Sequence, residues 1–332
     1  MDTTRFRDDL IEIPASLLNL ADAFEAGIDG LGRAQALAAA PGTRVLVLGM
    51  GSSAYAAAVV ARTARARGRS VVVELASTAE LPPAAGDLVV IAVSATGRSA
   101  EVLAAIEAYR GVGRLVAVTN DPASPLALAS DVVVPLLAGV EVSGVSCRTF
   151  RHTFLVLEAI LGGEGAGLPE LARASAAASS ALLEGAPGWL AEATRLLLGP
   201  QGTWVLAPVE RLSSAQQSTL MMREVPRRPA YASETGDWSH VDVYLSKTLD
   251  YRALLFAGSA WDEPAAEWLR GRSATLVTVG PTPLAAEAAL AIRYPGDERP
   301  EVAVIVETLV GELLAAEWFA ADPEFGWSTD LS

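Results

Sequence analysis

Cysteine, lysine and histidine are scarce in this chain of 332 residues. Cys147 is its single cysteine, which excludes an intramolecular disulfide bond and a cysteine-based metal cluster. Lys247 is its single lysine, so a reaction that needs a lysine amine would have to use this residue. The two histidines, His152 and His240, lie far apart and have no metal-ligand spacing. We therefore expect no metal and no cofactor, and we look to carboxylates, hydroxyls and backbone amides for chemistry.

Long apolar runs and an excess of positive charge are also absent. No uninterrupted apolar segment approaches the roughly 20 residues that span a bilayer, and no charged-then-apolar leader opens the chain. The 25 basic and 39 acidic residues give a formal net charge of -14, which repels nucleic acid and an anionic membrane surface. We therefore expect a cytoplasmic protein that binds neither nucleic acid nor membrane.

Short apolar runs rich in β-branched residues recur along the chain, with Ala- and Leu-rich helical stretches between them. Continuous apolar runs that alternate with helices are typical of a parallel sheet covered on both faces. The runs span residues 44–49, 70–75, 88–94, 114–119 and 131–136, and then residues 203–208, 229–234, 251–258, 274–280 and 290–295. The pattern predicts an α/β fold with two doubly wound parallel sheets in tandem, each flavodoxin-like and three-layered (α/β/α).

The same pattern divides the chain into four parts. Residues 1–30 are predicted to form an N-terminal helical segment that is broken at Pro14. Residues 31–165 are predicted as the first α/β domain and residues 166–320 as the second. Residues 321–332 are left as a C-terminal tail.

Two predicted strand ends in the first domain lead into loops of glycine and hydroxyl residues. These residues are Gly51, Ser52 and Ser53 in LGMGSSAYAA, and Ser94, Thr96, Gly97 and Ser99 in VSATGRSAEV. Small residues let the backbone approach an anion, hydroxyls donate hydrogen bonds, and a helix N-terminus supplies free amides. Because ligands of open α/β sheets bind beyond the carboxyl ends of the strands, the two loops predict a phosphate site.

Neither loop matches a nucleotide-binding motif. The Gly-Lys-Ser/Thr of a Walker motif is missing, and the third glycine of a G-x-G-x-x-G motif is replaced by Ala54. A serine hydrolase is not indicated, because no G-x-S-x-G elbow follows a strand. For the second loop one alternative stays open, namely that Ser94 and Ser99 only cap the following helix.

The pattern Ser-x-Ser/Thr-Gly-x-Ser/Thr after a hydrophobic strand resembles the phosphate loop of sugar isomerase (SIS) domains. Nearly the whole chain resembles the two-SIS-domain isomerase half of glutamine-fructose-6-phosphate aminotransferases and the stand-alone sugar-phosphate isomerases, deaminases and deglycases. GMGSSAYAAAVVAR is similar to the family's first loop and helix, and VTNDPASPLALASDVVVPLLAGVEVSGVSCRTF is similar to its Asn, Ser-Pro-Leu, Ser-Asp and Ala-Gly-x-Glu elements. The resemblance implies two SIS domains in tandem and a phosphosugar as the small-molecule partner.

Carried over residue by residue, the resemblance also implies contacts with that ligand. It assigns the phosphate to Ser53, Ser94, Thr96 and Ser99. It assigns the family's sugar-contacting serine to Ser146 and its loop glutamate to Glu141, for which a solvated loop carboxylate is the alternative. The family's glutamine between the first two loop residues is Ala95 here.

Aldose-ketose isomerisation needs a base that moves a proton between C1 and C2 and a group that opens the sugar ring. Glu224, in an apolar helical stretch before a proline, and His240, at the end of the sequence GDWSH, resemble the family's catalytic glutamate and ring-opening histidine. The alternatives are an ion pair of Glu224 with Arg223 or Arg227, and a surface loop for His240. The other histidine, His152, lies in an amphipathic helical pattern that predicts a structural residue.

Two of the family's lysines are missing. Met221 occupies the position, three residues before Glu224, where the family has one of these lysines. The tail DPEFGWSTDLS, where the family has the other, contains no lysine. Two hypotheses therefore stand. The first is an enzyme that isomerises or deaminates a hexose or amino-hexose 6-phosphate through an enediol or enolamine, without a glutaminase domain; the second is a sugar-phosphate sensor without turnover. Because the family's two-SIS-domain proteins are usually dimers that donate the histidine across their interface, the resemblance also implies a homodimer.

Overall fold

The computed structural model describes residues 3–111, 114–162 and 167–322. It contains two parallel five-stranded sheets, each flanked by helices, which confirms the predicted fold class. The chain divides into two compact units. The first-sheet unit consists of Ala15–Glu141 and Ser146–Arg173. The second-sheet unit consists of the described parts of Met1–Pro14, Val142–Val145 and Ala174–Ser332.

The first sheet has the strand order β2-β1-β3-β4-β5, and every neighbouring pair is parallel. Its strands are β1 (Arg44–Gly49), β2 (Ser70–Leu75), β3 (Leu88–Val93), β4 (Arg114–Thr119) and β5 (Val132–Pro135). The helices that begin in this unit or cross into it are α2 (Ile13–Ala26), α3 (Leu31–Ala39), α4 (Ser52–Ala66), α5 (Ala100–Ile106), α6 (Pro125–Ala129), α7 (Arg148–Leu161) and α8 (Leu168–Gly185). The central strand β3 is buried along its whole length, as its unbroken apolar sequence predicts.

The order of the first sheet reverses between β1 and β3, because the chain leaves β1 toward one edge and leaves β3 toward the other. Leu48 of β1 pairs with Ala92 of β3, so the carboxyl ends of the two strands lie side by side. A reversal of this kind, called a switch point, leaves a crevice at the carboxyl ends of the strands, where doubly wound folds bind ligands. The fold therefore brings the two hydroxyl loops to one place.

The second sheet, read from its other edge, has the equivalent order β7-β6-β8-β9-β10 and is also parallel throughout. Its strands are β6 (Thr203–Ala207), β7 (Ala230–Glu234), β8 (Arg252–Phe256), β9 (Thr275–Val279) and β10 (Leu290–Ile292). The other helices are α1 (Thr3–Ile11), α9 (Leu190–Leu197), α10 (Leu212–Glu224), α11 (Thr235–Trp238), α12 (Asp262–Arg270), α13 (Pro300–Val306) and α14 (Thr308–Ala321). All ten predicted strands are therefore present within a few residues of their predicted bounds.

The N-terminal helices differ in detail from the prediction. The chain breaks at Glu12, and Pro14 lies in the first turn of α2. A proline is tolerated there because the first amides of a helix have no intrahelical acceptor. Asp9 of α1 accepts hydrogen bonds from the amides of Val142 (3.1 Å) and Ser143 (2.8 Å), and all three belong to the second-sheet unit.

Two of the sequence-based predictions fall on segments without a description. The boundary between residues 165 and 166, and residues 323–332 of the predicted tail, lie outside the described residues. Among the residues that are described, no helix is both long and apolar enough to cross a membrane.

Candidate functional site

The first loop follows β1 and turns into helix α4. Gly51 adopts φ +50° at the N-cap position, in the region where glycine is favoured, and α4 begins at Ser52. In the described chain the amides of Gly51 and Ser52 donate to no acceptor, and the half-buried hydroxyls of Ser52 and Ser53 make no hydrogen bond. The start of α4 therefore offers unpaired donors at the switch point of the sheet.

The second loop follows β3 and is held rigidly by the segment after β4. Asn120 donates its amide to the carbonyl of Ala95 (3.0 Å), and Leu126 donates to the carbonyl of Gly97 (3.1 Å). Gly97 itself adopts φ +63°, and its amide donates to the carbonyl of Ser94 (3.0 Å). These bonds fix the loop and use none of its hydroxyls.

The hydroxyls of the second loop are not used as helix caps. Ser99 occupies the N-cap position of α5, but its side chain makes no capping hydrogen bond, and Ser94 Oγ lies 3.5 Å from Ser99 Oγ. Thr96 is exposed and accepts one weak bond from the amide of Arg98 (3.3 Å). Within the described residues, the amides of Ala95 and Thr96 have no acceptor. Hydroxyls and amides thus lie at the carboxyl ends of the strands of the first sheet, and donors of this kind are suited to a phosphate-sized anion.

Glu141 has a different setting from the two loops, because it caps α7. Its Oε1 accepts from the amides of Cys147 (2.6 Å), Arg148 (2.6 Å) and Thr149 (3.3 Å), and its Oε2 accepts from Thr149 Oγ1 (2.7 Å). Burial raises the pKa of Glu141, and the four donors oppose that shift. Glu141 is therefore not a solvated carboxylate. It fixes the backbone on the carboxyl side of half-buried Ser146, whose sugar contact stays a prediction.

Replacing Glu141 by Ala is expected to lower the free energy of unfolding by about 2 kcal/mol, because three amides and one hydroxyl lose their acceptor. Urea unfolding measures this loss. Glu170, an exposed glutamate in the first turn of α8, is the matched control, and Glu170→Ala should change stability by less than about 0.5 kcal/mol. Equal losses for the two variants would exclude the capping role.

Asn120, the Asn of the family elements quoted above, and Thr149 belong to this site as well, although the sequence assigned a role to neither. Thr149 Oγ1 accepts from Asn120 Nδ2 (2.9 Å), and Asn120 Oδ1 accepts from the amide of Ala138 (3.0 Å). The pair links the end of β4 to Glu141 and the start of α7. The signal in the sequence is the position of Asn120, which directly follows an apolar strand as the loop serines do.

Glu224 is the last residue of α10, and its side chain is exposed. It forms no ion pair or hydrogen bond with a described residue, and Arg223 instead donates to the carbonyl of Thr219 (3.1 Å). Desolvation by the surrounding protein raises the pKa of the Glu224 carboxyl despite this exposure. A carboxylate with a raised pKa and no neutralising partner is suited to accept and return a proton.

His240 follows α11, beyond the carboxyl end of β7. Its ring is exposed and makes no hydrogen bond with a described residue, while its amide donates to the carbonyl of Asp237 (2.8 Å). The imidazole is therefore available to a ligand or a partner.

The fold separates Glu224 from His240 within one chain. The amide of Arg228 donates to the carbonyl of Met222 (2.9 Å), and the amide of Thr203, the first residue of β6, donates to the carbonyl of Pro229 (3.2 Å). These bonds hold the end of α10 beside the amino ends of the strands of the second sheet. His240 lies beyond the carboxyl end of β7, and the five residues of β7 between these two positions span about 16 Å. The two side chains therefore do not meet in one chain.

His152 is buried in α7. Its Nε2 lies 2.8 Å from Ser16 Oγ, and its Nδ1 lies 2.7 Å from the carbonyl oxygen of Leu136. Burial lowers the pKa of His152 to about 4, so the ring is neutral at pH 7. These contacts fit the structural role predicted for it.

Residues 39–161 match the family described as the SIS domain. The glutamine-fructose-6-phosphate aminotransferase (isomerizing) of Aeropyrum pernix is 29% identical over 287 residues, which cover 80% of this chain and 46% of that relative. The chain thus spans less than half the length of this curated relative and matches its isomerase portion.

Solved structures share the fold over nearly the whole chain. The C-terminal domain of glucosamine-fructose-6-phosphate aminotransferase from Francisella tularensis superposes with a TM-score of 0.79 at 18% identity, covering 95% of this chain and 96% of that one. The tagatose-6-phosphate ketose/aldose isomerase from Escherichia coli superposes with a TM-score of 0.77 at 16% identity, covering 96% and 92%.

Proposed function

We propose that this protein is a phosphosugar isomerase or deaminase. Its residues 39–161 match the SIS domain, and its sequence is homologous to the isomerase portion of glutamine-fructose-6-phosphate aminotransferases. Its substrate is a hexose or amino-hexose 6-phosphate. The reaction is a proton transfer between C1 and C2 through an enediol or, with an amino sugar, an enolamine.

The observation that carries the proposal is the pair of hydroxyl loops at the switch point of the first sheet. Their donors include unpaired amides at Gly51, Ser52, Ala95 and Thr96, together with side-chain hydroxyls that have no strong partner in the described chain. Such donors recognise a phosphate dianion without a lysine, which suits a chain with only one lysine. The loops bind the phosphate, and Ser146 orients the sugar.

Glu224 and His240 carry the chemistry in this proposal. Glu224 takes the proton from one carbon and returns it to its neighbour, and the desolvation that raises its pKa favours the return of the proton. His240 transfers a proton to or from the ring oxygen as the sugar opens. Neither step needs a metal or a cofactor.

Proton exchange in D2O tests the proposal directly. The protein is incubated separately with fructose 6-phosphate, glucose 6-phosphate and glucosamine 6-phosphate, and the products are followed by proton NMR. We expect solvent deuterium at C1 or C2 of one of these sugars. Exchange with none of them, together with tight binding of one, would contradict catalysis on these substrates.

A non-catalytic sugar-phosphate sensor is the second candidate. It is favoured by Met221, which is buried and stands where the resemblance places a lysine, and by Ala95, which stands where it places a glutamine. A sensor would keep the phosphate loops and lose turnover. Binding without deuterium exchange would support this candidate over the enzyme.

We also propose that the active form is a homodimer in which the histidine of one chain joins the glutamate of the other. The separation of Glu224 and His240 within one chain supports this arrangement. Beside His240 the chain exposes Val241 (57%), Tyr244 (62%) and Leu245 (39%), and exposed apolar side chains that cluster in this way mark an interaction surface. A two-fold interface through this surface would contribute both histidines symmetrically.

Mixing two inactive variants tests the shared site. Glu224→Gln and His240→Asn are each expected to lose exchange, whereas a refolded equimolar mixture should regain about a quarter of the wild-type rate. Half of its dimers are mixed, and each mixed dimer has one intact site. Sedimentation of the wild type should show a dimer. An active monomer, or a mixture as inactive as its parents, would contradict the shared site.

A further inference from the structure

The two sheets are equivalent closely enough for their loops to be matched residue by residue. Leu48 pairs with Ala92 across the first switch point, and Leu206 pairs with Leu255 across the second. The next hydrogen bonds also correspond. Ser94 donates its amide to the carbonyl of Val118 (3.1 Å), and Ala257 donates to the carbonyl of Val279 (2.9 Å).

Counting from these pairs aligns the ligand loops. Ser99 lies seven residues beyond Ala92, and Asp262 lies seven residues beyond Leu255. Between them, the amides of Ala95 and Thr96 correspond to those of Gly258 and Ser259. The matched positions are thus Ala95 with Gly258, Thr96 with Ser259, Ser99 with Asp262, and, in the loops after β1 and β6, Ser53 with Arg211.

The matched amides have different partners in the two sheets. Those of Ala95 and Thr96 donate to no described residue. Those of Gly258 and Ser259 both donate to Asp262 Oδ2, at 2.6 Å and 3.2 Å. Asp262 is 7% exposed, so its carboxylate lies inside the loop and not on the surface. A carboxylate of the protein thus occupies the amides that are open in the first sheet.

A buried cation accompanies this carboxylate. Arg211 donates through Nε to Glu307 Oε1 (3.0 Å) and through its second terminal nitrogen to the carbonyl of Ala257. Its guanidinium would lie 3.3 Å from a Cβ placed on Gly258, which puts it beside the loop that Asp262 occupies. Where the loop after β1 has the small hydroxyl of Ser53, the loop after β6 has a cation with two acidic neighbours, Glu307 and Asp262.

From this correspondence we infer that Asp262 is a built-in anion that fills the phosphate position of the second sheet, and that the residue at this loop position decides whether a switch point accepts an external phosphate. Ser99 leaves the amides of Ala95 and Thr96 open, and Asp262 closes those of Gly258 and Ser259. The chain then has one phosphate site. The statement about Ser99 rests on the proposed function, whereas the statement about Asp262 does not.

Reciprocal exchange of the two residues tests the inference. The probe is inorganic phosphate, counted per chain by equilibrium dialysis, with sodium chloride at equal ionic strength as the reference. We expect one phosphate for the wild type, none for Ser99→Asp, two for Asp262→Ser, and one for the double variant. Glu263→Ser, which removes the exposed neighbouring carboxylate, is the control and should bind one phosphate like the wild type.

The outcomes separate this inference from the proposed function. If the wild type binds no phosphate and Asp262→Ser binds one, the first-sheet site fails and the role of Asp262 stands. An Asp262→Ser variant that is folded and binds no more phosphate than the wild type overturns the inference. If that variant unfolds in phosphate-free buffer, we expect phosphate to restore its folded state and sodium chloride not to do so. A failure of phosphate to restore it also overturns the inference.

Discussion

Replacing Glu224 with Gln is expected to lower the rate of deuterium exchange into the sugar by about 10²- to 10⁴-fold, the range that a positioned general base contributes. The amide is close in shape to the carboxylate but cannot accept the proton. Because the proposed phosphate donors lie in the loops after β1 and β3, binding of the phosphosugar should be unchanged. Rates come from NMR, and affinities come from calorimetry on the same preparation.

The pH profile gives a second measurement of the same residue. Glu224 acts as a base only when it is ionised, and desolvation raises its pKa above the ordinary value of 4.5. The rate should therefore fall as the pH is lowered, with a midpoint above 4.5. Glu267→Gln, an exposed glutamate of α12, is the control and should keep both the rate and the profile. A Glu224→Gln enzyme that retains wild-type exchange would remove Glu224 from the mechanism.

Replacing Gly97 with Ala is expected to lower the free energy of unfolding by about 3–5 kcal/mol, from left-handed backbone strain and overpacking together. A Cβ on Gly97 would lie 2.0 Å from Ser124 Oγ and 2.4 Å from Ser124 Cβ, and the residue has φ +63°. Ser124 is buried and caps α6, so it has no room to move. Phosphate binding should be lost as well, because the clash distorts the loop between Ser94 and Ser99.

Gly139 provides the control for backbone conformation alone. It has φ +72°, and a Cβ there would meet no atom within 4 Å. Gly139→Ala should therefore cost only the left-handed strain, about 1 kcal/mol. Urea unfolding of the two variants isolates the contribution of the clash. Equal losses would mean that Ser124 moves aside and that the loop is less rigid than its hydrogen bonds indicate.

The strands could be predicted well because their signal is local. Runs such as LVVIAV are apolar at every position, and a strand buried on both faces requires that composition. The sequence predicts the break between the first two helices at Pro14, but the break lies at Glu12, because proline is compatible with the first turn of a helix and so marks its start.

The candidate site was predictable where the residue types and their position after a strand indicate ligand binding. Glycine and serine after an apolar run indicate a loop that binds an anion, and the structure brings both loops to one edge of a sheet. The capping role of Glu141 was not predictable, because it depends on a loop that folds back over the start of α7. Asp262 was missed because a carboxylate gives no signal for anion binding until its amide partners are known.

The placement of Glu224 and His240 at opposite ends of the strands of the second sheet has a kinetic consequence. Under the proposed dimer, a free chain has no complete site, because its glutamate and its histidine belong to two different sites. Below the dimer dissociation constant, the total rate would then rise with the square of the protein concentration instead of linearly. Cellular abundance would act as a threshold for turnover, without a regulatory ligand.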